Sequence, residues 1–190
     1  ALAACHHVVA TTRKGPLPVQ DPRLTVLELD LADRQECRHA VRKASQVGGR
    51  LDVVVNNAGY GLVGAIEEVS EAEARAILDV DLFGPLWMTQ AALPIMRRQR
   101  SGHVVQISST GGVGAMPFLG LYNAAKWGLE GFSECLRQEL EPFEVFVTLI
   151  EPGGVRSSFG GNLKFASAIA AYRDTPAGAM RSLFESAGDE

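Results

Sequence analysis

Leu51-Asp52-Val53-Val54-Val55-Asn56-Asn57-Ala58-Gly59 is the stretch from which the architecture can be read. Its aliphatic half, Leu51 to Val55, has no alternating polar face, so it is predicted to be a strand buried on both sides. Asn56-Asn57-Ala58-Gly59 follows with turn residues that stop it. A strand of this kind belongs in a parallel sheet covered by helices, and the neighbouring segments supply them. Upstream, His7 to Thr12 and Leu24 to Asp30 are predicted strands. Asp33-Arg34-Gln35-Glu36 resembles a capping box and opens a helix to about Val47, which Gly48-Gly49 ends.

Downstream, Ser70-Glu71-Ala72-Glu73 is a second capping box. It opens a helical stretch to about Arg100, with irregularity at Gly84-Pro85 and a kink expected at Pro94. His103 to Ser108 is another buried strand. Leu121, Ala125, Leu129, Phe132, Leu136 and Leu140 recur at steps of three and four, which predicts an amphipathic helix ending near Pro142. Val145 to Ile150 is a further strand. From Pro152 onward the chain is rich in Gly, Ser and Ala and shows no clear strand. The alternation predicts an α/β domain with a mostly parallel sheet, residues 1–190 forming one domain with 154–190 as a lid region and tail.

Composition narrows the function classes. The chain has 190 residues, 46% of them apolar, enough for a sizeable core. A net charge of −4 with no basic face argues against nucleic acid. Arg97, Arg98 and Arg100 cluster near a predicted helix end, where cations offset the helix dipole. Cys5, Cys37 and Cys135 cannot all pair and lack metal-ligand spacing, as do the four histidines. No metal is therefore expected, and a reducing, cytoplasmic setting is. No apolar run reaches the roughly 18 residues of a membrane span.

The chemistry concentrates in Ser109, Tyr122 and Lys126. Tyr122 and Lys126 stand four residues apart and share a helix face. A nearby ammonium favours the phenolate, so this pairing is expected to lower a tyrosine pKa that is ordinarily about 10. That makes Tyr122 a workable general acid or base. Taken alone, Tyr-x-x-x-Lys also describes a half-exposed face with a snorkelling lysine.

Asn56-Asn57-Ala58-Gly59 after a strand, Ile107-Ser108-Ser109, Tyr122-x-x-x-Lys126 and Pro152-Gly153-Gly154-Val155-Arg156-Ser157 occur in an order and spacing that resembles the short-chain dehydrogenases/reductases. The resemblance covers nearly the whole chain. It implies a Rossmann-like doubly wound parallel sheet and a carbonyl–alcohol interconversion with a nicotinamide cofactor. Tyr122 then matches the proton donor or acceptor. Ser109, thirteen residues before it, matches the serine that binds the substrate oxygen. Lys126 matches the lysine that holds the nicotinamide ribose. The resemblance also implies that Asn56, Ala58 and Gly59 pack on the cofactor, that Asp30 and Leu31 lie beside the adenine, and that Pro152, Gly153, Val155 and Ser157 line the nicotinamide. Asn56 to Gly59 as an ordinary turn, and Asp30 as a turn cap, stay open. The first strand ends Thr11-Thr12-Arg13-Lys14 with no acid for a ribose 2′-hydroxyl. Arg13 and Lys14 suit a 2′-phosphate, so NADP(H) is expected over NAD(H), with two solvated loop cations as the alternative.

Two departures from the family pattern stand out. Asp81, in Asp79-Val80-Asp81-Leu82-Phe83-Gly84, occupies the position of a catalytic asparagine, where an ionised carboxylate only accepts. It is expected to alter the proton relay behind Lys126. The glycine-rich phosphate loop of the family is not found, and the family's first and C-terminal strands have no counterpart, so the chain is expected to be a fragment. The substrate is expected to be small and partly apolar, touched by Val113, Met116, Phe118, Phe159 and Phe165. The helix of Tyr122 and the long helix before it pair subunits in the family, so a homo-oligomer is an expected partner state. The alternative is a member that has lost turnover and serves as a binding or regulatory protein.

Overall fold

The computed structural model describes residues 2–4, 6–13, 15, 17–155 and 159–187. Strands β1 (Val8–Thr12) and β2 (Leu24–Glu28) pair in parallel. Strands β3 (Val53–Asn56), β5 (Gly102–Ile107) and β6 (Val145–Ile150) form a second parallel sheet in the order β3-β5-β6. Its register sets Val54 beside Val104 and Val104 beside Val147. The architecture is α/β, as expected. Among the described residues β1 and β3 belong to separate sheets.

Helix α1 (Arg34–Val47) starts where Asp33 accepts from the N–H groups of Gln35 and Glu36 at 2.7 and 3.1 Å. The expected reciprocal contact is replaced: Glu36 accepts from the Asp30 N–H at 2.8 Å instead. Helix α2 (Glu71–Leu78) carries the full box, with Ser70 and Glu73 serving each other's N–H groups. The irregular stretch beyond it is a π-helical turn, Asp79–Phe83, which leads directly into α3 (Gly84–Gln99). Pro94 is accommodated inside α3. Helix α4 (Gly120–Leu140) follows β5, and α5 (Pro176–Ala187) ends the described chain.

Helices α3 and α4 cover one face of the three-stranded sheet. Val54, Ala92, Met96, Val104, Leu136, Leu140 and Val145 are buried between them. Burying each of the Val, Leu and Met side chains contributes about 1.5–3 kcal/mol. The other side of α3 meets α1, where Trp87 and Met88 pack on Leu29, Cys37 and Ala40. The opposite sheet face carries Val53 and Val55, 52% and 56% exposed, with Phe146 and Ile150. Within the covered face, the Asn56 amide donates to Gln106 Oε1 at 2.8 Å and Thr89 Oγ1 at 3.1 Å.

One strand pair was not expected. Leu62–Val63 (β4) pairs in parallel with Lys164–Phe165 (β7), in the region where no strand was predicted. Glu68 reinforces this long-range closure. Its carboxylate accepts from the N–H groups of Ala65 and Ile169 at 2.9 and 2.8 Å and faces Arg181 at 4.0 Å. Residues 159–187 are thereby held against the segment between β3 and α2.

Replacing Asn56 with Ala removes a donor from a buried network and leaves Gln106 Oε1 without it. Urea denaturation is expected to show a loss of about 1–3 kcal/mol with the secondary structure retained.

Candidate active site

The site is built at the carboxyl ends of β3, β5 and β6, where open parallel sheets bind ligands. Ser109 follows β5 by two residues and caps a short turn, Thr110–Gly112, accepting from the Gly111 N–H at 3.1 Å. A Cβ on Gly111 would lie 2.8 Å from Asn123 Oδ1 and 3.2 Å from a Tyr122 ring carbon. The glycine therefore lets the first turns of α4 press on this turn, which sets Tyr122 near Ser109. Phe118, just before α4, holds φ at 77° with its side chain buried, and its carbonyl accepts from the Gly64 N–H at 2.8 Å. That backbone state is costly for an aromatic residue and is maintained by its packing.

Tyr122, Lys126 and Asp81 come together with almost no exposure: 7%, 5% and 0%. Lys126 Nζ donates to the Ile107 carbonyl at 3.1 Å, lies 5.7 Å from the Tyr122 ring centre, and faces Asp81 Oδ2 at 3.8 Å. Asp81 Oδ1 accepts from the Tyr60 N–H at 3.1 Å, while Oδ2 has no hydrogen-bond partner. A Cβ on Gly59 would sit 2.8 Å from that Oδ2. The glycine thus provides the space in which the carboxylate lies.

Burial governs the charges. It pushes the Asp81 carboxyl up to about 6, against the pull of Lys126 and the Tyr60 N–H. Burial also lowers the Lys126 ammonium, and Asp81 partly restores it. For Tyr122, burial raises the phenol, a hydrogen bond with Ser109 opposes this, and the Asp81 charge adds to the rise. The phenol was expected to be lowered by Lys126. It is raised because burial dominates and the Asp81 charge adds to it.

The cofactor candidates divide into two groups. Arg13 and Asp30, at the carboxyl ends of β1 and β2, line one cleft of about 670 Å³ together with His39 and Lys43. Asp30 Oδ1 also accepts from the Ala32 N–H at 3.0 Å, so it caps a turn as well. Leu31 packs against the cluster of Leu29 and Cys37. Near Tyr122, Ala58 is exposed and Gly59 half-buried. The Pro152 carbonyl accepts from the Thr110 N–H at 3.1 Å, which fastens the Pro152–Gly153 loop to the Ser109 turn. Val155 is 65% exposed, and Ser157 lies outside the described residues. Asn56 differs from expectation: its amide is engaged inside the sheet–helix layer rather than offered to a ligand.

Of the expected substrate contacts, Phe159 stands beside Tyr122, the two ring centres 6.0 Å apart. Val113, Met116 and Phe165 are exposed, whereas Phe118 belongs to the core. Sequence reasoning missed Tyr60, which acts through a backbone N–H, and Gly111, for which the Gly111-Gly112 pair after a strand was the available signal.

The donor set suits the two ends of a nicotinamide dinucleotide. Lys126 supplies a buried ammonium beside Tyr122, and a Cβ on Gly153 would meet nothing nearer than 4.0 Å, so backbone there can approach a ligand. Arg13 and Asp30 supply a separate ionic cleft. Among the described residues no group of His, Cys, Asp and Glu could hold a metal, and no helix is long and apolar enough to cross a membrane.

Comparison with known proteins agrees with this geometry. Residues 5–166 match the family model for short chain dehydrogenase. The chain is 36% identical to a 3-ketodihydrosphingosine reductase of Bacteroides thetaiotaomicron, covering 94% of this chain and 65% of that one. It resembles a solved short-chain dehydrogenase of Streptomyces avermitilis with TM-score 0.88 and 36% identity, covering 97% of this chain and 72% of that one. A metagenomic short-chain oxidoreductase in complex with NADP aligns with TM-score 0.66 and 32% identity, covering 69% and 60%. The chain spans less than two thirds of the length of the first curated relatives it matches.

Because folding raises the Asp81 carboxyl from 3.8 to about 6, the folded state binds more protons than the unfolded state in that window. Stability contributed at this site is present below 3.8 and is lost as pH rises toward about 6. Denaturation of Asp81→Asn at pH 4 and pH 7 is expected to show the variant gaining on the wild type as pH rises.

Proposed function

The chain belongs to the short-chain dehydrogenase family, and we propose that it carries the catalytic core of an NADP(H)-dependent oxidoreductase that interconverts a carbonyl and a secondary alcohol. The observation behind this is the buried meeting of Tyr122 and Lys126 beside Ser109 at the end of β5. When bound, the cofactor supplies or accepts the hydride at the reacting carbon. In reduction, the Tyr122 hydroxyl gives its proton to the substrate oxygen; in oxidation the phenolate takes it back. Ser109 hydrogen-bonds the same oxygen and steadies its developing charge. Lys126 would hold the nicotinamide ribose, with Gly59, Pro152, Gly153 and Val155 around that end and Asp30 and Leu31 at the adenine.

Arg13 supports the choice of NADP(H), since a guanidinium pairs with phosphate oxygens and shares its cleft with Lys43. The NADP complex of a relative at 32% identity points the same way. The substrate is a small, partly apolar ketone or alcohol, with residues 154–190 acting as a lid that brings Phe159 over Tyr122. A relative named 3-ketodihydrosphingosine reductase supports a keto group as the reacting centre. A reducing setting, the cytoplasm, suits Cys37 and Cys135, which are both free thiols. Association of copies through α3 and α4 suits Trp127, half exposed on α4.

The second reading, a binding or regulatory member without turnover, is favoured by Asp81 standing where the family has an asparagine. NADPH oxidation across a ketone panel, measured on the full-length parent protein, separates the two. Turnover is expected, and Tyr122→Phe should lower it by about 10²–10⁴-fold with the fold unchanged. A wild type inert to the whole panel would favour the second reading. In parallel, Arg13→Asp should weaken NADPH use about 10–100-fold relative to NADH, as loss of a charged hydrogen bond does; an unchanged preference would count against the role of Arg13.

A further inference from the structure

We propose that Asp81 neutralises the Lys126 charge facing Tyr122, holds Tyr122 in its protonated form, and so keeps the site a proton donor through the neutral range. This rests on Tyr122 being the acid/base. Lys126 Nζ has Tyr122 on one side, 5.7 Å to the ring centre, and Asp81 Oδ2 on the other at 3.8 Å. All three are buried, so water screens little of the interaction. Tyr122 therefore faces an ion pair where a neutral amide at position 81 would leave a bare cation. An ion pair stabilises a phenolate far less than a cation does.

The surroundings leave Asp81 in control of the charge at this point. From α4 it faces Lys126 and Tyr122, and from the segment after β3 it faces Tyr60, whose phenol Asp81 also pushes up. Glu130, one turn beyond Lys126, acts on that lysine in the same sense as Asp81. Asp79 lies in the same π-helical turn and acts on Tyr60. Arg13 is the cation that opposes these charges at Tyr60. Asp81 Oδ2 has no hydrogen-bond partner, so the carboxylate charge is tempered only by the Tyr60 N–H on Oδ1 and by the Lys126 ammonium.

The pH dependence has a definite sign. Above about 6, Asp81 is charged and Tyr122 is kept protonated. Below that, Asp81 takes up a proton, the lysine charge is unmasked, and phenolate formation becomes easier. Tyr122 therefore remains a proton donor throughout the neutral range and becomes a proton acceptor only at alkaline pH.

Titration of Tyr122 by NMR of protein labelled with ¹³C at the tyrosine ζ carbon tests this without requiring turnover. Tyr122→Phe assigns its signal apart from Tyr60 and Tyr172. Asp81→Asn keeps the size of the side chain and an acceptor for the Tyr60 N–H. It is expected to lower the Tyr122 midpoint by about one pH unit. The pH profiles of oxidation and reduction should both break about one pH unit lower in the variant. Should Asp81→Asn fail to fold, Asp81→Ser carries the same measurement. A Tyr122 midpoint that stays put or rises in the folded variant overturns the proposal. A lowered midpoint in a protein inert to every carbonyl supports the control by Asp81 and defeats the oxidoreductase reading instead.

Discussion

Helix α3 is packed on two sides, and the relative placement of the two main sheets rests on that. Ala92 and Met96 press on the β3-β5-β6 sheet, Trp87 meets α1 behind the β1–β2 pair, and Met88 touches both clusters. No strand-to-strand hydrogen bond joins the two sheets among the described residues, so side-chain packing across α3 carries the connection. The same helix emerges from the π-helical turn that bears Asp81. Its seating therefore also fixes how deeply the carboxylate reaches toward Lys126. Fold and chemistry meet at one helix end.

Much of this was legible in the amino-acid order. Val145–Ile150 stands out as an apolar run, and Asp33 and Ser70 mark helix starts through side chains that cap them. Tyr122 and Lys126 are adjacent in space because four residues make about one turn. What escaped was structure without periodicity. Two-residue strands such as β4 and β7 carry no pattern and form only because their partner lies about a hundred residues away. The π-helical turn adds one residue per turn without any marker residue. Tyr60 contributes a backbone N–H, which every non-proline residue has, so its side chain gives no hint of the role.

Asn56 and Tyr122 show how tertiary context overrides a local motif. Asn56 sits in a turn-like sequence, yet its amide is drawn inward by Gln106 and Thr89 because a buried donor needs acceptors. The motif around Tyr122 predicts a lowered phenol pKa, and that expectation treats Lys126 as an isolated charge. In the folded chain the lysine has a counter-charge, and burial penalises every ion present. The helix spacing predicts who is near whom. The local dielectric and the next shell of charge decide which proton stays.

Gly59 and Asp81 occupy each other's space, since a methyl at the first would strike the carboxylate of the second. In evolutionary terms the two positions are not independent. While position 59 is glycine, position 81 can move between aspartate and its amide by single substitutions that preserve shape. A side chain acquired first at position 59 would expel the carboxylate from its place and strand the buried lysine. Mutational routes through this site are therefore ordered, and charge at position 81 is the variable that can drift while the glycine stays.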